Sequence, residues 1–587
     1  MLWILLILSS TFHGYCLVPL VKVGSLDFLA RFFTGWFLGS IGTGLFLYII
    51  SLLIPISAFL TIIIIAIHTG SAFFLLKHSH KSKIAIDSNP WFLFLIVFTA
   101  GMSLRYLGQI YSKIPDFLPY LMEPIYEDEI SFINSLFYGN NRRRSNIMYY
   151  DNPRASTFKY PGYATPLLYA ASLMTLGASY SDASIIICFL NTMAACYGVY
   201  SFAKKYTKWA TITTIIFLFS GSWAAHIYYR ASNRNDITND LVHQFTPTHS
   251  SVWFQPFAVL LSMSKSSSFS IPMSIFAVNW APSLISPILT TLIPSVTTSF
   301  ATFGLLSGIP HCLPQILPFA ASLIIRLVPF IFEYRPLFRE AEMRGTFFAP
   351  LIIWFIAIGP VFLVVFFFGW LGLLQNIRLR NYCYASLGPF LLLQFFREGT
   401  DHFANAVAIT AISLPATIVL FVELMRRFSQ FPKDEEYKGV TIFIMTFTFA
   451  FLLYGGYLTI NRIPMSTTAN TVHRPLFNMK DHELTRAMIE KIPNNAVVFI
   501  KSRRLHPIIH AGKTAFLGDK HLIWATGIKF QDKYSLIDEM INENATAEAF
   551  QKAGVSFIVE EGLRGFGLNQ RIFKTIFQNS QYKILAV

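Results

Sequence analysis

Long uncharged runs separated by short polar connectors dominate the first 460 residues of the chain. Residues 32–54, 51–76 and 439–460 contain no Asp, Glu, Lys or Arg. A helix rises 1.5 Å per residue, so each run is long enough to cross a hydrocarbon layer about 30 Å thick. Within lipid the backbone has no water to bond, so such runs are expected as helices that satisfy their own polar groups. The pattern predicts membrane segments over 1–20, 32–53, 56–76, 90–110, 162–178, 183–203, 208–227, 251–264, 268–300, 303–329, 347–373, 382–396, 402–425 and 439–460. That amounts to about 12 to 14 membrane segments of ~20 residues or somewhat less. Prolines from Pro256 to Pro318 interrupt the middle of this stretch, where kinked, short or re-entrant pieces are expected.

The pattern changes after residue 460. "NAVVFI" (495–500), "KTAFLG" (513–518), "VSFIVEE" (555–561) and "YKILAV" (582–587) are short β-branched or aromatic runs that read as strands. Between them, "YSLIDEMINENATAEAFQKAG" and "NQRIFKTIFQN" read as amphipathic helices, the first closed by Gly554. Strands alternating with helices predict a small, mostly parallel sheet. The fold class expected is therefore a polytopic α-helical membrane protein with a small C-terminal α/β soluble domain. Its parts are N-terminal membrane helices over 1–110, an external loop over 111–160, a membrane core over 161–460 and the α/β domain over 461–587.

Composition agrees with this picture. The chain is 54% hydrophobic and 13% charged, where a soluble domain carries roughly 25% charge. The net charge of +15 raises the question of nucleic acid. The basic residues, however, sit in short clusters between apolar runs, such as Lys77, Lys81 and Lys83, Arg378 and Arg380, and Arg426, Arg427 and Lys433. That is how cytoplasmic loops are marked, so the partner expected is the bilayer and not nucleic acid. The five cysteines lie in or near apolar segments, with no CxxC and no metal-ligand spacing.

The same charge rule gives sidedness. Lys22 and Arg31 follow the first apolar run, which places the N-terminus outside and the 21–31 connector in the cytoplasm. Counting on, the 54–56 turn is external, 77–89 is cytoplasmic and 111–160 faces the lumen or cell exterior. The membrane is accordingly the endoplasmic reticulum or the plasma membrane. Counting from the basic loops at 374–381 and 426–438 makes 330–346, 397–401 and everything after 460 external. Lys204, Lys205 and Lys208 conflict with a simple up-and-down count. Either the segment near 162–178 does not fully cross, or these lysines lie outside. Asn544-Ala545-Thr546 is an N-glycosylation sequon, usable only if the domain faces the lumen.

Candidate chemistry concentrates in the external stretches. "PDFLPYLMEPIYEDEISFINSLFYG" carries three consecutive carboxylates, Glu127, Asp128 and Glu129, shortly after a membrane helix. Adjacent carboxylates repel unless a cation or basic partner intervenes, so Glu127 and Asp128 could hold Mg²⁺ or Mn²⁺ through oxygen ligands. One carboxylate beside an apolar wall can instead take the proton of an acceptor hydroxyl. The plainer reading is that these acids cap a helix or meet nearby arginines. Arg142, Arg143 and Arg144 follow in the same loop, and a guanidinium fork suits a phosphate. The plain alternative for them is a solvated run, or pairing with the acids. "FFREGTDHFAN" adds Arg397, Glu398, Asp401 and His402 at a turn between helices, where Thr400 or Asp401 could simply cap the next helix. "NDLVHQFTPTHSSVWFQP" adds His243, His249 and Gln255, without zinc-site spacing. "FEYRPLFREAEMRG" reads as a surface helix with Glu340–Arg344 and Arg339–Glu342 pairs. "GKT" at 512–514 lacks the upstream glycines of a phosphate-binding loop.

This layout resembles the GT-C superfamily of integral-membrane glycosyltransferases, which includes protein mannosyltransferases, dolichol-linked mannosyl- and glucosyltransferases and bacterial aminoarabinose transferases. The resemblance rests on "YEDE" (126–129), similar to the acidic motif of their first large lumenal loop, and on "YPGYATPLLY" (160–169), similar to the proline-containing segment that follows it in several members. It implies a polyprenyl-phosphate sugar donor, an acceptor hydroxyl, and inverting transfer without a covalent intermediate. It further implies Asp128 or Glu127 as the base, Glu129 as a second acid or metal ligand, and Arg142 to Arg144 with Arg397 neutralising the donor phosphate. Asp401, His402 and His243 would line the substrate cavity. Two other readings stay open: a multi-pass transporter, suggested by the proline-broken helices, and a non-catalytic membrane protein whose C-terminal domain binds a partner.

Overall fold

The computed structural model describes residues 2–21, 27–78, 89–111, 123–139, 141–145, 147–151, 161–220, 256–261, 265–280, 285–292, 332–334, 361, 364–365, 396–398, 402–430, 435–468, 479–500, 507–518, 523, 530–542, 546–562 and 573–587. The chain is a polytopic helical membrane protein with a C-terminal domain built on a small sheet. Among the described residues five helices are long and apolar enough to cross a membrane. They are α1 (Leu2–Leu17), α2 (Phe28–Ile50), α3 (Ala58–His78), α4 (Pro90–Tyr111) and α7 (Tyr180–Lys204). Phe59, Phe73, Trp91, Phe94 and Val97 stand exposed on their outer faces, as expected where the surrounding medium is lipid.

The first two helices pack backbone on backbone. A Cβ on Gly39 would lie 1.8 Å from the Ser10 carbonyl oxygen, and one on Gly14 would lie 1.9 Å from that of Gly35. Gly35 and Gly39 are a GxxxG pair, the usual device for close helix contact in lipid, where apolar side chains gain nothing by leaving the solvent. Arg31 anchors the other end of the pair: its Nε donates to the Tyr15 carbonyl at 3.1 Å and its guanidinium lies 4.1 Å from the Tyr15 ring centre.

The amphipathic helix α5 (Glu123–Phe137) is followed by α6 (Pro161–Thr175), and α6 resolves the lysine conflict. Near its start, Thr165 touches Gly44, close to the C-terminal end of α2. At its end, the Thr175 hydroxyl meets that of Thr61, 3.0 Å away in the first turn of α3. The end of α2 and the start of α3 are joined by a short turn, so both ends of α6 sit at one side of the membrane domain. A helix of 15 residues spans only about 22 Å, so it does not need to cross. The next helix, α7, then starts on that same side. Its Asn191 accepts from the Trp36 indole at 3.2 Å, Tyr197 stacks on Phe33, and Tyr200 stacks on Phe92 at the start of α4. Lys204, Lys205 and Lys208 therefore lie at the opposite end, with Arg31 and Asn89.

The remaining membrane pieces agree. After α8 (Ala210–Phe219), α9 (Lys265–Asn279) runs alongside α7, Asn191 donating to Ser268 at 2.8 Å and Lys205 to the Asn279 carbonyl at 2.6 Å. α10 (His402–Phe428) ends beside Thr207, which bonds Glu423; Glu423 also accepts from Arg426 at 2.7 Å and Arg427 at 3.0 Å. α11 (Glu435–Thr468) returns, its Gly456 backed against the Phe219 carbonyl. The predicted segments at 303–329 and 382–396 lie outside the described residues, as does nearly all of 347–373. Strands β1 (Phe332–Tyr334) and β2 (Phe396–Glu398) pair antiparallel, with Glu333 opposite Arg397. Phe332–Tyr334, expected to open a surface helix, is strand, while the Glu340–Arg344 and Arg339–Glu342 pairs expected in that helix lie outside the described residues.

In the C-terminal domain, α12 (Met479–Lys491) precedes β3 (Val497–Ile500), the short α13 (Pro507–His510), β4 (Thr514–Ala515), α14 (Gln531–Asn542), α15 (Ala547–Lys552), β5 (Phe557–Glu561), β6 (Lys574–Gln578) and β7 (Tyr582–Ala586). The strand order is β4-β3-β5-β7-β6. β3 is parallel to β4 and β5, while β7 is antiparallel to both β5 and β6. The expected mostly parallel sheet is thus corrected to a mixed one. The second half of "NQRIFKTIFQN", expected as helix, is β6, an edge strand with a bulge between Thr575 and Phe577, and its first four residues lie outside the described residues. The long helical stretch is two helices, the second capped by Thr546 and closed by Gly554 at φ +81°. Phe499, Phe516, Phe550 and Phe573 fill one side of the sheet; Met488, Ile508 and Ile584 fill the other. Burial beside His482 holds His510 neutral, its pKa pushed down to about 3.

Candidate functional site

The acidic motif lies on α5. Its backbone carries Glu127 and Asp128 just before Glu129, and their side chains lie outside what the structure describes. Consecutive helix residues turn about 100° apart, so three adjacent acids fan over about 200° and cannot all line one wall. Glu129 points inward: it is 5% exposed and lies within electrostatic range of Tyr180, the buried first residue of α7. Ile130 to Leu136 are buried after it. The reason is that α5 is covered on two sides, by α6 below and by α13 of the C-terminal domain above.

The arginine run divides by position. Arg144 is 2% exposed. Its guanidinium lies over the Tyr48 ring, 3.8 Å from the centre, and donates to the Tyr48 carbonyl and to the Ser51 hydroxyl at 3.0 Å. Arg142 donates to the Leu53 carbonyl at 3.1 Å. Both therefore bind the C-terminal end of α2, where helix carbonyls lack intrahelical partners and a cation is favoured. Arg143, between them, is exposed. Arg144 and Asp151 both have positive φ, 52° and 53°, and bracket the segment that follows.

That segment joins the C-terminal domain. Ala515 donates to the Ile147 carbonyl at 2.7 Å, Gly518 to that of Met148 at 2.7 Å, and Tyr150 to that of Ala515 at 3.1 Å. Residues 147–150 thus cover the free edge of β4, an edge that would otherwise invite pairing. Lys533 of α14 sits 4.1 Å from the Tyr149 ring centre and 4.5 Å from that of Phe516, and donates to the Tyr150 carbonyl. Desolvation pulls its pKa down to about 8, against the pull of Asp151.

Of the other residues singled out by sequence, Arg397 lies on β2 opposite Glu333, and His402 begins α10. Asp401, His243 and the sequon Asn544 lie outside the described residues. Among the described residues α5 packs chiefly on α6 and on α13 of the C-terminal domain. Among the described residues no group of three or more His, Cys, Asp or Glu side chains is placed to hold a metal. Tyr180, Gly512 and Lys533 were not singled out by sequence. Each meets the site across a long stretch of chain, and no local pattern marks such a pairing.

No protein-family profile matches the chain, and no curated protein does. Solved structures similar in outline include three of the oligosaccharyltransferase of Archaeoglobus fulgidus: with a tethered acceptor peptide, with an inhibitory peptide and dolichol-phosphate, and in the apo form. They are 11–12% identical to this chain, cover 81% of it and 69–70% of their own length, and give TM-scores of 0.38–0.40. At that level no residue role transfers.

Proposed function

We propose that the chain is a GT-C-like glycosyltransferase that moves a sugar from a polyprenyl-phosphate donor to an acceptor hydroxyl, on the lumenal face of the endoplasmic reticulum or the outer face of the plasma membrane. The observation that carries this reading is the placement of α5. Its acids lie at the end of the membrane domain opposite Lys204, Lys205, Lys208, Arg426 and Arg427, and the positive-inside rule assigns that basic end to the cytoplasm. An acidic helix at the rim of the bilayer, roofed by a folded domain, is suited to a donor held in lipid and an acceptor held in water.

In this reading Asp128 or Glu127 takes the acceptor proton while the acceptor oxygen attacks the anomeric carbon. The bond from that carbon to the phosphate oxygen breaks, its electron pair leaves on the polyprenyl phosphate, and configuration inverts. Glu129, buried on α5, belongs to the packed side of the helix. Arg143, which is exposed, and Arg397 are offered to the phosphate, because charge that develops there is best met by preorganised donors. Glu127 and Asp128 also provide oxygen ligands of the kind Mg²⁺ or Mn²⁺ takes. The purified full-length protein in proteoliposomes, given dolichyl-phosphate-linked mannose or glucose as probe donors and a hydroxyl-bearing acceptor, is expected to release dolichyl phosphate and glycosylated acceptor. Solute uptake with no such product would favour the transporter instead.

A further inference from the structure

We propose that the C-terminal domain is a positioning element of this site, clamping α5 against α6 through Gly512 and the 147–150 strap. The inference rests on the reading of α5 as the acid-bearing helix. Three observations carry it. The first is the fit at Gly512, whose φ is +65° and where a Cβ would stand 2.3 Å from the Asn134 carbonyl oxygen of α5. Gly139 meets the same turn from the other side, its would-be Cβ 2.4 Å from the Gly512 oxygen. Two backbones in direct contact leave no room for side chains, so the domain sits on α5 in a single seating.

The second is the strap. Residues 147–150 complete the β4 edge, and Lys533 closes over Tyr149, Tyr150 and Phe516. The strap's other end is held to α2 by Arg144 on Tyr48. The domain is thus tied to the membrane helices at two places, to α5 at Gly512 and to α2 through the strap. The third is the lower face: Glu129 is buried, and the helix packs on α6. Asn134 lies less than two turns from Glu129, so a seat that fixes Asn134 also fixes the direction of the acids.

The test uses the full chain with two substitutions, Gly512→Ala and Lys533→Met. Hydrogen exchange over 123–137 is expected to rise about tenfold in each, while exchange over 180–204 and in the β3, β5 and β7 strands stays as in the parent protein. Turnover is expected to fall about tenfold with KM for the donor unchanged, since neither residue is offered to substrate. Parental exchange over 123–137 in both variants overturns the clamp. If Gly512→Ala disturbs the sheet itself, Lys533→Met decides, because it removes a charge and a hydrogen bond while keeping much of the bulk. The exchange measurement reads the clamp even if the parent protein transfers no sugar, so the clamp and the glycosyltransferase reading fail separately.

Discussion

Asp128→Asn is expected to abolish glycosyl transfer while leaving membrane insertion and folding unchanged. The substitution keeps size and most hydrogen-bonding capacity but removes the basic oxygen, and a positioned base contributes roughly 10²–10⁴-fold. A loss of that size in a protein whose melting behaviour is unaltered identifies a chemical role. Glu129→Gln serves as the contrast. Glu129 is buried at the start of the buried face of α5, so its loss acts through the seating of α5, with instability and reduced turnover appearing together. Undiminished transfer by purified Asp128→Asn removes Asp128 from the proposal and leaves Glu127 as the candidate.

Arg144→Ala is expected to give the largest loss of stability of any substitution in the loop. The guanidinium stacks on Tyr48 and donates to the Tyr48 carbonyl and the Ser51 hydroxyl. A desolvated cation–π contact contributes up to about 2 kcal/mol, and hydrogen bonds from a charged group about 1.5–3 kcal/mol. Because these terms overlap, a net loss of about 2–4 kcal/mol is the expectation, read as earlier thermal unfolding and as hydrogen exchange over 144–150. Arg144→Lys should recover only part, since an ammonium lacks the planar fork. The resemblance to glycosyltransferases cast Arg144 as a phosphate ligand. That role predicts the reverse result: intact stability, with a raised KM for the donor. Arg143→Ala, at an exposed position of the run, is instead expected to raise the KM for the donor with stability intact.

The membrane helices were legible because lipid imposes a simple rule: α1 to α4 each coincide with a long apolar run that carries at most one charged residue, and no soluble core competes for those residues. The soluble strands at 497–500 and 557–561 were legible from their β-branched and aromatic content. The β6 strand was not. "RIFKTIFQ" spaces its apolar residues in a way that suits both a helix face and a bulged edge strand, and pairing with Tyr582–Ala586 decides between them. The path of α6 was hidden for a different reason: an apolar helix of its length looks the same whether it crosses or turns back. Only the meetings of Thr165 with Gly44 and Thr175 with Thr61 distinguish the two, and the lysines at 204, 205 and 208 were the sequence's one trace of the answer. At the site, the acids stood out as a local cluster. The Gly512 seat and the Lys533 cage did not, because each is made by tertiary packing.

The account depends on α5 and the C-terminal domain facing away from the cytoplasm. Single cysteines at Arg143 and Lys208, both exposed positions, placed in a background free of native cysteines, test this directly with a membrane-impermeant maleimide on sealed vesicles of known orientation. The expected result is labelling of Arg143→Cys from the non-cytoplasmic side alone and of Lys208→Cys from the cytoplasmic side alone. Labelling of Arg143→Cys from the cytoplasm, or of both positions from one side, contradicts it.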